Sequence, residues 1–154
     1  MTFSVHLQFG DARWRKVRGL SARLEAAAER ALRRGAAPRK ASLTVLLSDD
    51  AQLKALNRDF RGQNKPTNVL SFPAAANGDN YLGDVALAYD VTRDEARAAD
   101  KRLVDHATHL VVHGVLHLLG FDHTTERQAQ EMEPLETRIL AELGIADPYR
   151  TEAA

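Results

Sequence analysis

Residues 113–123 read His113-Gly114-Val115-Leu116-His117-Leu118-Leu119-Gly120-Phe121-Asp122-His123. They close a strongly helical pattern over 101–119. His113 and His117 are four apart, so a helix puts both imidazoles on one face, one turn apart, where they can share a metal ion. Gly120 can end that helix in a left-handed conformation and turn the chain back. His123 then falls three residues past the turn, close enough to supply a third nitrogen. Three nitrogens leave a tetrahedral zinc with one open position, the pattern of a catalytic rather than a structural site. A cation held this way lowers the pKa of bound water to about 7.

The spacing is that of the metzincin template, H-E-x-x-H-x-x-G-x-x-H. Gly114 stands where the template carries its general-base Glu, which argues against ordinary zinc peptidase chemistry. The open three-histidine geometry favours zinc over copper or nickel. His106 and His109 lie on nearly the same helical face. They are either donors behind the ligands or substrate contacts, or polar residues lining a cleft wall, and the last is slightly favoured. Asp122 either orients a ligand imidazole or caps the turn. His6 has no partner visible in the sequence.

Working outward, Phe3, Val5, Leu7 and Phe9 alternate as in a half-buried strand. Residues 12–34 carry helical spacing, with Gly35 as the stop. Residues 42–48 form an apolar run typical of a buried strand. Asp49 and Gln52 make a capping box for a helix over 50–60. A polar loop follows, from Arg61 to Asn68. Val69–Phe72 is a third strand stopped by Pro73. Asn77-Gly78 signals a turn, and Val85–Tyr89 reads as a fourth strand. Thr92 and Glu95 form a second capping box. Pro134 should break the last helical segment, 125–143, and open a second helix there. The expected fold class is α/β (α+β), a mixed four-stranded sheet packed with about five helices. Helical crossovers predict that the first three strands are parallel and that the fourth, after a hairpin, is antiparallel.

The chain has 154 residues, 44% of them hydrophobic, which fits one domain over 1–150 with 151–154 a frayed tail. No apolar run is long enough for a membrane span, and the start lacks the charged and apolar regions of a secretory signal. There are no cysteines, so any metal is held by His, Asp or Glu, and a reducing cytoplasm is the expected compartment. Net charge is zero, which gives no bulk support to nucleic-acid binding. Residues 11–40, however, hold ten Lys/Arg against three Asp/Glu. That segment either faces a polyanion or is a solvated helix face.

The chain resembles the YbeY family of bacterial endoribonucleases. The likeness rests on His113-Gly-x-Leu-His117-Leu-x-Gly120-x-Asp-His123, on Leu56-Asn57-x-x-Phe60-Arg61, on Pro66-Thr67-x-Val69-Leu70-Ser71-Phe72-Pro73 and on Leu82-Gly83-Asp84-Val85, in family order. The resemblance implies one zinc ion per chain, held by His113, His117 and His123. It implies single-strand-specific RNA cleavage in 3′-end maturation of 16S ribosomal RNA and in ribosome quality control. The implied partners are ribosomal RNA and the ribosome or ribosomal proteins. A family arginine important for activity falls on Arg61, suited to clamping the scissile phosphate. Arg61 and His113 are the expected catalytic residues, Arg61 and Lys65 the expected substrate contacts. The family loop usually reads Asp-x-Pro-Thr-Asp-Val, whereas Asn64 and Asn68 replace both acids here. Two rivals remain: a zinc peptidase or amidase, and a ribosome-associated factor whose zinc is structural.

Overall fold

Strand and helix patterns alternate from the first residues, and the structure follows them closely. It is a computed structural model that describes residues 2–62, 67–75, 78–121 and 125–146. The strands are β1 (Ser4–Phe9), β2 (Ser42–Ser48), β3 (Val69–Pro73) and β4 (Tyr81–Ala88). The helices are α1 (Leu20–Arg34), α2 (Asp50–Arg61), α3 (Tyr89–Ala98), α4 (Leu103–Leu118) and α5 (Glu126–Glu142). One mixed sheet runs in the order β1-β2-β4-β3, so the fold class is the expected one.

The direction of two strands differs from expectation. β1, β2 and β4 are parallel, and β3 is the reversed strand. The register gives the reason. Val69 pairs with Leu87, and the Ala88 N–H donates to the Asn68 carbonyl, so β3 starts at the end of the sheet where β2 finished at Ser48. The segment containing α2 therefore returns the chain to the end it left and makes no crossover. Burial decides which strand is central. Val85 to Ala88 are all buried, whereas β3 ends on exposed Pro73. A proline cannot donate to a ladder and belongs on an edge. Leu43, Val45, Leu47, Val85 and Leu87 face α1 and α4 in the main core. Leu70, Ala86 and Ala88 pack on Leu53 of α2 across the sheet.

The local sequence signals hold at some helix ends and yield to packing at others. Asp49 caps α2 by accepting from the Gln52 N–H at 2.8 Å. Residues 12–34 do not form one helix. A 3-10 turn (Ala12–Lys16) comes first, anchored by fully buried Trp14, whose Nε1 donates to the Ser48 carbonyl at 2.9 Å. Thr92 and Glu95 do not cap α3, which already starts at Tyr89. Thr92 is buried inside the helix and donates back to the Ala88 carbonyl at 2.6 Å. Pro134 does not break α5. The bond it removes belongs to the Gln130 carbonyl, and both residues are exposed, so water can take the carbonyl while Met132, Ile139 and Leu140 hold the buried face.

Four of the ten basic residues in 11–40 stand in ion pairs. Arg13 meets Asp11 and Asp90, Arg23 lies 3.9 Å from Asp105, and Arg30 and Arg34 both reach Glu142. This favours the solvated, paired helix face over a polyanion surface. No helix among the described residues is long and apolar enough to cross a membrane. The tail 151–154 and the turn residue Asn77 lie outside the described residues.

Candidate metal centre

α4 is the central helix of the fold. Ten of its residues are buried, among them Val104, Leu110, Val111, Val115 and Leu116. A helix this apolar must be covered on nearly every side. Its half-buried stripe is instead His106, His109, His113 and His117, spaced three, four and four apart. The sheet, α1, α3 and α5 pack around α4, α3 and α5 bring carboxylates to the histidines, and a small cleft opens at His109 and His113.

Two of the three expected ligands converge. The Nε2 atoms of His113 and His117 are 2.9 Å apart, with ring centroids 4.5 Å apart. Two nitrogens sharing a tetrahedral zinc, each at about 2.0–2.1 Å, sit roughly 3.3 Å from each other. A small ring rotation reaches that value, so the donor pair fits a divalent cation. The helix end is also as the spacing implies. The Phe121 N–H donates to the Leu116 carbonyl and the Gly120 N–H to the His117 carbonyl, both at 3.0 Å. Gly120 has φ +98. This is a Schellman turn, which a left-handed glycine accommodates without strain. His123 and Asp122 lie outside the described residues.

The sequence reading missed Glu136. This carboxylate is fully buried on α5, yet it sits in the apolar stripe of Met132, Ile139 and Leu140. An acid in that register was the available signal, because a buried charge is costly unless paired. Its Oε1 is 2.7 Å from His113 Nδ1 and its Oε2 is 3.2 Å from His109 Nε2. His109, His113 and Glu136 thus form a second group able to hold a metal, with donor atoms within 4.8 Å of one another. His113 belongs to both sets, with one ring nitrogen facing each.

Gly114 explains the missing template Glu. A Cβ at this position would lie 2.6 Å from Val85 Cγ1 and 3.2 Å from Ser71 Oγ. Ser71 Oγ also donates to the Gly114 carbonyl at 3.0 Å. The position faces the sheet at closest approach, so any side chain there must displace Val85.

The rim comes from β3 and α3. A small cleft of about 170 Å³ is lined by Asn68, Val69, His109, Leu110 and His113. Asn68 Nδ2 donates to Glu95 Oε1 at 3.0 Å, and the same oxygen is 2.9 Å from His106 Nε2. Burial pushes the His106 imidazole below its ordinary value, against the opposing pull of Glu95. His106 and His109 are therefore held by carboxylates, which is more than a polar wall requires. An aspartate at 68 could not donate to Glu95 and would repel it. Asn68→Asp should therefore cost about 0.5–1.5 kcal/mol, and more than Asn68→Ala, as read by urea denaturation. Equal losses for the two variants would remove the repulsion from this account.

Arg61 is the last residue of α2. Its side chain, and all of Asn64 and Lys65, lie outside the described residues. Neighbouring Phe60 is 70% exposed. A cavity of about 670 Å³ is lined by Phe60, Phe72, Leu56 and Asp84 on the α2 side of the sheet, away from the histidine stripe.

The family model described as "Endoribonuclease YbeY" matches residues 11–144. A Chelativorans sp. protein of that name is 45% identical over 152 residues, 96% of this chain and 93% of that protein. One from Maricaulis maris is 42% identical over 149 residues, 97% and 93% of the two chains. A third, from Allorhizobium ampelinum, is 51% identical over 118 residues, 73% and 71%. A solution structure of a Thermotoga maritima protein superposes with a TM-score of 0.60 at 24% identity, covering 96% of this chain and 99% of that one, and so shares the fold.

Proposed function

The chain belongs to the endoribonuclease YbeY family, and on that premise we propose that it is a zinc-dependent endoribonuclease cutting single-stranded RNA. The observation that carries this reading is the convergence of His113 and His117 through their Nε2 atoms, 2.9 Å apart, on the open stripe of α4. His123 completes the ligand set in this proposal. The proposed setting is 3′-end maturation of 16S ribosomal RNA and ribosome quality control in the cytoplasm, on or near the ribosome. The cysteine-free chain suits a reducing compartment.

When bound, a zinc with three nitrogen ligands supplies a Lewis acid for a phosphate oxygen and acidifies water. The protein's own part is positional. α4 holds two imidazoles at fixed spacing, and the sheet behind Gly114 keeps that helix from shifting. Arg61, at the end of α2, is assigned to the scissile phosphate, where a planar guanidinium makes paired hydrogen bonds and meets charge as it develops. Lys65 adds a point charge for the neighbouring backbone. A 2′-hydroxyl attack leaves a cyclic phosphate and water attack leaves none, so product-end analysis separates the two routes.

The packing opposes the peptidase rival, because the position of the peptidase base is filled by Val85. Single-stranded RNA should be cut while casein is not. Arg61→Ala should keep its metal and lose about 10²–10³-fold in RNA cleavage, measured by elemental analysis beside a cleavage assay. An unchanged rate would remove the phosphate role from Arg61.

A further inference from the structure

We propose that Glu136 is a positioning residue that sets the metal-binding form of His113. It accepts the Nδ1 proton of His113 and so leaves the Nε2 lone pair facing His117 for the cation. The inference rests on the metal reading above and concerns how this chain prepares that site.

An imidazole carries its proton on either ring nitrogen, and only the bare nitrogen can bind a metal. Something must therefore fix the proton on Nδ1. Glu136 Oε1 stands 2.7 Å from that atom, the length of a charge-assisted bond. The carboxylate is fully buried and is carried by α5, whose Met132, Ile139 and Leu140 anchor it in the main core. Its other oxygen is engaged by His109 Nε2 at 3.2 Å, so the carboxylate is held from both sides. A carboxylate behind the ring also fixes the orientation in which Nε2 meets a cation. A buried anion is costly when isolated, and a divalent cation one ring away offsets that cost.

The alternative is that Glu136 itself ligates, with His109 and His113. It would require His113 to bind through Nδ1, turning its Nε2 into a proton donor toward His117. It would also require prising apart an N···O pair that is already a complete hydrogen bond at 2.7 Å. Only with Glu136 as acceptor do both nitrogens of His113 serve the contacts they make.

The test compares zinc affinity, by competition with a chromophoric chelator, in wild type, Glu136→Gln, Glu136→Ala and His109→Ala. The melting of each metal-free protein is recorded alongside. Glu136→Gln should bind one zinc about 10–100-fold more weakly, because an amide oxygen still accepts the proton but carries no charge. Glu136→Ala should bind more weakly again, and His109→Ala should stay close to wild type. Nitrogen NMR of the metal-free wild type, which needs no variant, should show His113 protonated on Nδ1. Wild-type affinity in Glu136→Gln, whatever its melting point, overturns the proposal, as does an Nε2-protonated His113. Loss of all zinc from Glu136→Gln and His109→Ala, with retention by His117→Ala, makes Glu136 a ligand and overturns it too. A wild-type protein that binds no zinc overturns the metal reading itself, a different result from any of these.

Discussion

His117→Ala is expected to lose most bound zinc and most RNA cleavage while leaving the protein folded. His117 contributes one of the two nitrogens seen to converge, 2.9 Å from its partner. Zinc sites with four ligands are worth roughly 10–16 kcal/mol, which puts each ligand at about 2.5–4 kcal/mol. Losing one should weaken binding on the order of 10²–10³-fold. The fold should survive, because His117 is half-buried on the open stripe of α4 while Val115, Leu116 and Leu118 beside it carry the packing. Circular dichroism and a thermal melt of the metal-free variant, set beside elemental analysis and RNA cleavage, separate the two effects. A variant with full zinc content would move the site to the second set, His109, His113 and Glu136.

Gly114→Glu should fail to fold, and it should create no peptidase. The substitution restores the template of a zinc peptidase on paper. In the structure its Cβ would meet Val85 Cγ1 at 2.6 Å, against a valine that is itself fully buried. Gly114→Ala already overpacks that contact, at about 1–3 kcal/mol, partly offset by about 1 kcal/mol of helix propensity. The glutamate adds a charge with no water, and breaking into a packed interior this way costs several kcal/mol. That is comparable with the whole stability of a domain, about 5–15 kcal/mol. Soluble yield and urea denaturation of both variants read the difference. A stable Gly114→Glu protein that hydrolyses casein would reverse the argument against peptidase chemistry.

His113, His117 and Gly120 were the most legible residues of the chain, since one helix and one glycine turn determine where they go. His113 and His117 meet because they are four apart, and Gly120 adopts the left-handed conformation that the turn needs. Glu136 was not legible in the same way. It lies on a different helix, 23 residues away from His113, and nothing local ties an acid in one amphipathic stripe to an imidazole in another. The strand directions failed for a related reason. Local pattern marks the four strands, but whether α2 crosses the sheet depends on which strand must be buried on both faces. Val85 to Ala88 decide that, and Pro73 confirms the edge. Thr92 and Pro134 show tertiary packing overriding local rules. The first turns its hydroxyl back into its own helix, and the second sits on the exposed face of α5 without ending it.

The most direct measurement is zinc content tied to RNA cleavage through one cycle of chelation and reconstitution. The account predicts about one zinc per chain as purified. Chelation should abolish cleavage of single-stranded RNA with the helical signal largely intact, and added zinc should restore it. Metal-free protein that cuts RNA at the original rate would contradict it.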